Sequence, residues 1–258
     1  RVAPTVTAMV ALEIAVTDGS GLDAAASGGA DRVELCAALG TGGLTPSLGM
    51  IEACVERGSL PVHVLVRSRP GDFVVDADHV AVMARDVRAA VAAGASGVVI
   101  GAALPDGRLD LDALARLVDA AAGVEVTLHR VFDVVADRAA ALDAAIGLGI
   151  HRVLTSGGAG RAVAGAAELA ALVRQASGRI EIMAGGGVRV VDVPALVAAG
   201  VDGIHLSARR TIATGPSGPG GGASERDVTD EEIVRAVRAS IGESARHEDA
   251  GVSRLPQF

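Results

Sequence analysis

Eight short apolar runs punctuate this chain, and Ala-rich amphipathic stretches fill the gaps between them. The runs lie at 11–16, 31–36, 61–67, 97–101, 124–130, 151–156, 180–184 and 203–207. The stretches lie near 19–28, 47–58, 76–93, 110–122, 137–148, 161–176, 190–199 and 228–242, the last opening with the capping-box pattern Thr229-x-x-Glu232. This alternation specifies a parallel sheet covered by helices. The runs are built from Val, Leu, Ile and Ala, side chains that suit strands buried on both faces. A weak echo recurs on every second strand, at Gly29-Ala30-Asp31, Gly94-Ala95-Ser96, Gly149-Ile150-His151 and Gly200-Val201-Asp202. Each copy reads as a helix-ending glycine, a turn, then a strand. Four copies at that spacing fit a closed, repetitive barrel better than an open sheet. The length of 258 residues matches the ~250 of one (β/α)8 TIM barrel. The expected fold class is therefore α/β, one barrel domain over residues 10–258, with residues 1–9 as an extension. The Gly- and Pro-rich stretch Thr214–Gly222 reads as a loop beside the barrel mouth.

Composition narrows the partners. A net charge of −8, with no Trp and no Tyr, argues against nucleic acid, which needs a basic surface or stacking platforms. No run approaches the ~20 apolar residues that span a bilayer. Two cysteines, Cys36 and Cys54, make no disulfide framework and fit a reducing cytoplasm. Lysine is absent, so every one of the 23 basic residues is Arg. That excludes the lysine-dependent aldolase and pyridoxal chemistries common in barrels. Whether the Ala-rich outer helices meet a second copy in a homo-oligomer stays open.

Strand side chains alternate, so residues two apart share a face. On one parity several strands carry polar groups where a barrel interior ordinarily carries Val or Leu. These are Glu13; Arg32, Glu34 and Cys36; His63 and Arg67; Thr127 and His129; His205 and Ser207. They read either as a structural polar network or as a ligand site, and their convergence favours the site. Glu13, Glu34 and His129 are the candidate acids and bases. Arg67, Arg69 and Arg130 follow strand ends, and a planar guanidinium pairs two oxygens of a carboxylate or phosphate at once. Ser156 and Gly157 after the sixth strand, Gly186 and Gly187 after the seventh, and Ser207 after the eighth could supply bare N–H groups to the same anion.

Taken in order, the motifs are distinctive: Ala30-Asp31-Arg32-Val33-Glu34-Leu35-Cys36, Gly42-Gly43-Leu44-Thr45-Pro46-Ser47, Pro61-Val62-His63, Arg67-x-Arg69-x-Gly71-Asp72-Phe73, His129-Arg130-x-Phe132-Asp133, Val153-Leu154-Thr155-Ser156-Gly157, Met183-Ala184-Gly185-Gly186-Gly187-Val188 and His205-x-Ser207-Ala208. The chain thereby resembles the CutC family of copper homeostasis proteins over roughly residues 10–242. The resemblance implies a TIM barrel, a cytoplasmic location and a Cu(I)-binding or copper-handling role, with Cys36 as the metal ligand. Members of that family often carry a second cysteine two residues after the first-strand glutamate; here that position is Ala15. Ser68 and Pro70 also depart from the family's usual residues beside Arg69. Cu(I) prefers thiolate and thioether ligands, and a cation beside clustered arginines is repelled. Two readings follow: a copper-handling protein, or an isomerase, lyase or epimerase acting on a small phosphorylated or carboxylated metabolite.

Overall fold

The structure, a computed structural model, describes residues 10–215 and 224–252. The eight apolar runs form β1 (Ala11–Val16), β2 (Arg32–Leu35), β3 (Val62–Leu65), β4 (Gly97–Ile100), β5 (Glu125–Leu128), β6 (Arg152–Thr155), β7 (Glu181–Gly185) and β8 (Gly203–Leu206). They pair in parallel, in chain order, and close where Glu13 of β1 lies opposite His205 of β8. The helices between them are α1 (Gly19–Ser27), α2 (Leu48–Arg57), α3 (Ala77–Ala92), α4 (Leu111–Ala120), α5 (Arg138–Gly147), α6 (Ala166–Ala176) and α7 (Val193–Ala198), and α8 (Glu231–Val252) follows the last strand. Six of the eight strands are one to three residues shorter than their apolar runs, because the ladder stops where the chain turns into a loop.

Local chemistry sets these boundaries. Asp18, Ser47, Asp76, Asp110 and Asp137 each accept a hydrogen bond from an N–H in the first turn of the helix they precede, satisfying a donor that has no partner inside the helix. The four echo glycines, Gly29, Gly94, Gly149 and Gly200, all take positive φ, the left-handed conformation that ends a helix cheaply only in glycine. In three copies the next-but-one residue reaches back to the preceding strand. Asp31 accepts from the Leu12 N–H, His151 from Val126 and Asp202 from Ile182, so the repeat also pins the strand starts.

The main apolar core lies between the outward strand faces and the helices, where Leu12, Ile14, Val33 and Leu35 meet Leu22, Ile51, Leu114 and Val234. Each such side chain contributes roughly 1.5–3 kcal/mol by leaving water. Inside the barrel the apolar content is small, chiefly Cys36, Leu65 and Val99. Much of the rest is polar or charged. At the N-terminal end Arg152, only 2% exposed, donates to Thr127 at 3.1 Å, Glu125 at 2.9 Å and Glu181 at 2.6 Å.

Two sequence expectations are corrected. The cap of α8 is Asp230, whose carboxylate accepts from the Glu232 and Ile233 N–H groups, while Thr229 still belongs to a strand. The stretch after β8 is not only loop: β9 (Arg209–Ala213) and β10 (Glu225–Thr229) form an antiparallel pair tied by Arg209 and Thr211 to Asp227. Residues 216–222 of the expected loop, and the extension 1–9, lie outside the described residues.

Candidate functional site

At the C-terminal end of the barrel lies a cavity of about 610 Å³, within the range of small-molecule sites. Glu34 and His205 line it from the strands, His129 from just beyond β5, and Arg130, Gly186, Gly187 and Ser207 from the loops. The alternation read from the sequence therefore holds: Glu13, Glu34 and His129 all point inward.

Glu13 is fully buried and lies behind the cavity surface rather than on it. Its Oε2 accepts from Arg32 Nε at 2.5 Å and its Oε1 faces His205 Nδ1 at 2.8 Å. Arg32 is held in turn by the Met183 sulfur at 3.2 Å. Burial alone would raise the Glu13 carboxyl, but the His205 hydrogen bond and the charges of His205 and Arg32 outweigh it and hold it ionised. Glu34 differs sharply. It is 6% exposed, and among the described residues its carboxyl has no hydrogen-bond partner. Burial, reinforced by the Glu13 charge and opposed by His205, pushes it up to about 7. Burial lowers the His205 ring, but the charges of Glu34 and Glu13 and the Glu13 hydrogen bond more than reverse this, so its net direction is upward.

His129 has the opposite electrostatics. Burial, with the Arg67 charge added, brings it down to about 3, so the ring is neutral. Its Nδ1 accepts from the Val131 N–H at 3.0 Å, which places the proton on Nε2, and Nε2 has no protein partner among the described residues. The ring packs against Phe73, centroids 4.9 Å apart. Gly101 makes room for it, since a Cβ there would lie 2.1 Å from the ring. The Nε2–H is itself buried, so the neutral ring contributes to the cavity wall while this donor stays unsatisfied among the described residues.

The loop residues divide. Arg130 lies flat on Gly186, where a Cβ would fall 2.9 Å from the guanidinium carbon. Its Nε donates to Asp133 and one terminal nitrogen to Ser156, leaving Nη1 unengaged among the described residues. Gly186 and Gly187 adopt φ of +107° and +64°, and their N–H groups meet no protein acceptor among the described residues. The loop is pinned from outside by Arg161, which donates to the Gly187 carbonyl and to Asp192. By contrast, the cup expected at Ser156 and Gly157 is filled from within. The Asp133 carboxylate accepts from the Thr155 hydroxyl at 2.5 Å and from the Ser156 and Gly158 N–H groups at 2.9 and 3.1 Å, and neither Ser156 nor Gly157 reaches the cavity. Arg67 lines the cavity, but its terminal nitrogens donate to the carbonyls of Thr41, Gly43 and Gly71, so it braces two loops. Arg69 is turned away, paired with Asp72 and the Val74 carbonyl.

Cys36 is completely buried beside Leu65 and Val99, and its thiol donates to the Val16 carbonyl at 3.7 Å. Burial, with the nearby Glu34 charge, pushes the thiol up, away from the thiolate that binds metal. The side chain of Ala15 lines the cavity in its place. Donor atoms of Glu13, Glu34 and His205 do lie within 4.8 Å of one another. That set is two carboxylates and an imidazole, with one carboxylate already neutralised by Arg32, and it does not match the sulfur preference of Cu(I).

Sequence reasoning missed Arg152, Glu125 and Glu181, although the parity that flagged Glu13 would have flagged them. It also left Arg189 and Arg209 out of the cavity wall. No local signal marks those two, because loop folding brings them there.

The CutC family profile matches residues 10–210. A family protein CutC of Agrobacterium fabrum is 48% identical over 246 residues, covering 92% of this chain and 95% of that protein. One of Rhizobium meliloti is 43% identical over 241 residues, covering 90% and 96%. The crystal structure of CutC from Streptococcus agalactiae, which carries a proposed copper-homeostasis role, superposes with a TM-score of 0.73 at 29% identity, over 77% of this chain and 99% of that one. Its closed parallel barrel, its inward-facing polar residues and relatives matched over nearly their whole length agree, and this chain belongs to the CutC family.

Proposed function

We propose that this CutC barrel is a cytoplasmic enzyme that binds a small phosphorylated or carboxylated metabolite and moves a proton on it. The observation that carries the reading is the pairing, in one cavity, of an unpartnered carboxyl at Glu34 with the free N–H groups of Gly186 and Gly187 beneath Arg130. A carboxyl close to half-ionised near neutral pH can both take and return a proton. The loop after β7 supplies what an anion needs, namely backbone donors, a cation and close approach. The family's copper-homeostasis description supports a second reading, copper handling. The Cys36 thiol and the donor set around Glu13 fit Cu(I) poorly.

The test is a pair of titrations on the folded protein. Phosphate or sulfate should raise the melting temperature, and Gly186→Ala and Arg130→Met should each remove the effect while Arg69→Ala keeps it. Unchanged melting at saturating anion would sink the metabolite reading. Stoichiometric Cu(I) binding under reducing conditions, abolished by Cys36→Ser, would favour the copper reading instead.

A further inference from the structure

One side chain on the cavity wall combines an exposed ring edge with a fixed internal partner. His205 lines the cavity from β8, and its Nδ1 is tied to Glu13 Oε1 at 2.8 Å. Glu13 cannot turn away, because its other oxygen is held by Arg32, itself held by Met183. The ring packs beside Gly185, where a Cβ would come 3.3 and 3.4 Å from its Cβ and Cδ2 and would clash outright with the Leu154 side chain. Its second nitrogen, Nε2, has no protein acceptor among the described residues. We infer that His205 is a second proton-transfer residue of this cavity, that Glu13 and Arg32 are positioning residues behind it, and that Glu34 is its partner in acid–base exchange.

This deepens the proposed proton-transfer function and rests on it. The Glu34 carboxylate takes a proton from a C–H or O–H of the bound anion as His205 Nε2–H gives one to another atom of the same molecule. The enzyme is left with a protonated Glu34 and a neutral His205 whose Nδ1–H still faces Glu13. The reverse transfer, or exchange with solvent after release, restores both groups, and no oxidant or co-reactant is needed. This is the need of an isomerisation or epimerisation, where acid and base act together. Glu13, already ionised and with both oxygens engaged, orients the ring and stabilises its charge, as the carboxylate of a catalytic triad does. The charged groups facing His205 are Glu13 from β1 and Arg32 and Glu34 from β2; β7 contributes only the uncharged Gly185. His63 from β3 faces Glu13.

Nuclear magnetic resonance of protein labelled with nitrogen-15 in its histidines tests this without a substrate. His205 should titrate above the ordinary ~6.5 of histidine, with a proton on Nδ1 shifted downfield by the carboxylate. Glu13→Gln should lower its midpoint by about one pH unit or more, and the pH edge of phosphate binding should move with it. A His205 that titrates at or below 6.5 in the unaltered protein, or at the same pH in Glu13→Gln, would overturn the inference. If Glu13→Gln does not fold, the unaltered protein's midpoint and Nδ1 proton decide alone. Because these readouts need no ligand, they are separable from the anion titration. Failure of phosphate to stabilise the fold sinks the metabolite reading whatever His205 does.

Discussion

Glu34 should make the folded protein less stable as pH rises, and replacing it should undo that loss. An ordinary glutamate titrates near 4.5, and burial carries this one to about 7. The folded state therefore holds a proton that the unfolded chain releases across that window. Stability linked to Glu34 is fully present below about 4.5, declines as pH rises toward about 7, and is lost above it. At ~1.36 kcal/mol per pH unit, the whole loss is about 3 kcal/mol. Glu34→Gln keeps the shape and stays neutral at every pH. It should match the unaltered protein near pH 4.5 and exceed it by about 3 kcal/mol at pH 8. In a chain of this size each kcal/mol is worth roughly 2–4 °C, so the melting curves should separate by roughly 6–12 °C at pH 8. Calorimetry of both proteins from pH 4.5 to 8.5 reads this directly. Parallel pH profiles, or a Glu34→Gln protein less stable at pH 8, would refute the claim that Glu34 is a buried carboxyl without a hydrogen-bond partner.

Two further perturbations probe the surroundings. Arg32→Met should destabilise the protein by roughly 3–5 kcal/mol in urea unfolding, because it strips a fully buried Glu13 of its cation; a loss below about 1 kcal/mol would mean the pair is not desolvated. Asp133→Ala should cost about 2–4 kcal/mol, since it leaves the Thr155 hydroxyl and the Ser156 and Gly158 N–H groups without their acceptor. It should also create a second anion site, read as an added phosphate-dependent rise in melting temperature.

The barrel was legible because its signals are local and repeated. Continuous apolar runs and helix-ending glycines at positive φ each follow from a few neighbouring residues, and β1 begins and ends where the apolar run does. Side-chain parity likewise placed Glu13, Glu34 and His129 inside. What sequence could not show is how each donor is spent. Arg67, Arg69 and Arg130 look alike in a string, yet one braces carbonyls, one turns outward and one lies on Gly186, because loop folding decides which near and distant partners each one meets. Ser156-Gly157 and Gly186-Gly187 read as equivalent cups, and only the arrival of Asp133 from the β5 side distinguishes them. The β9–β10 pair escaped notice because its strands are largely exposed, so no buried face writes a pattern.

Arg152 corks one end of the barrel, and this turns the interior into a vessel with a single door. Buried His63 and Thr127 complete the stopper, so among the described residues the open approach to Glu34 and His205 is from the loop side. A molecule that seats itself across that door would seal its own reaction chamber. Hydrogen taken from it could then be handed back before solvent washed it out, and the isotope it keeps would record how tightly the door had shut.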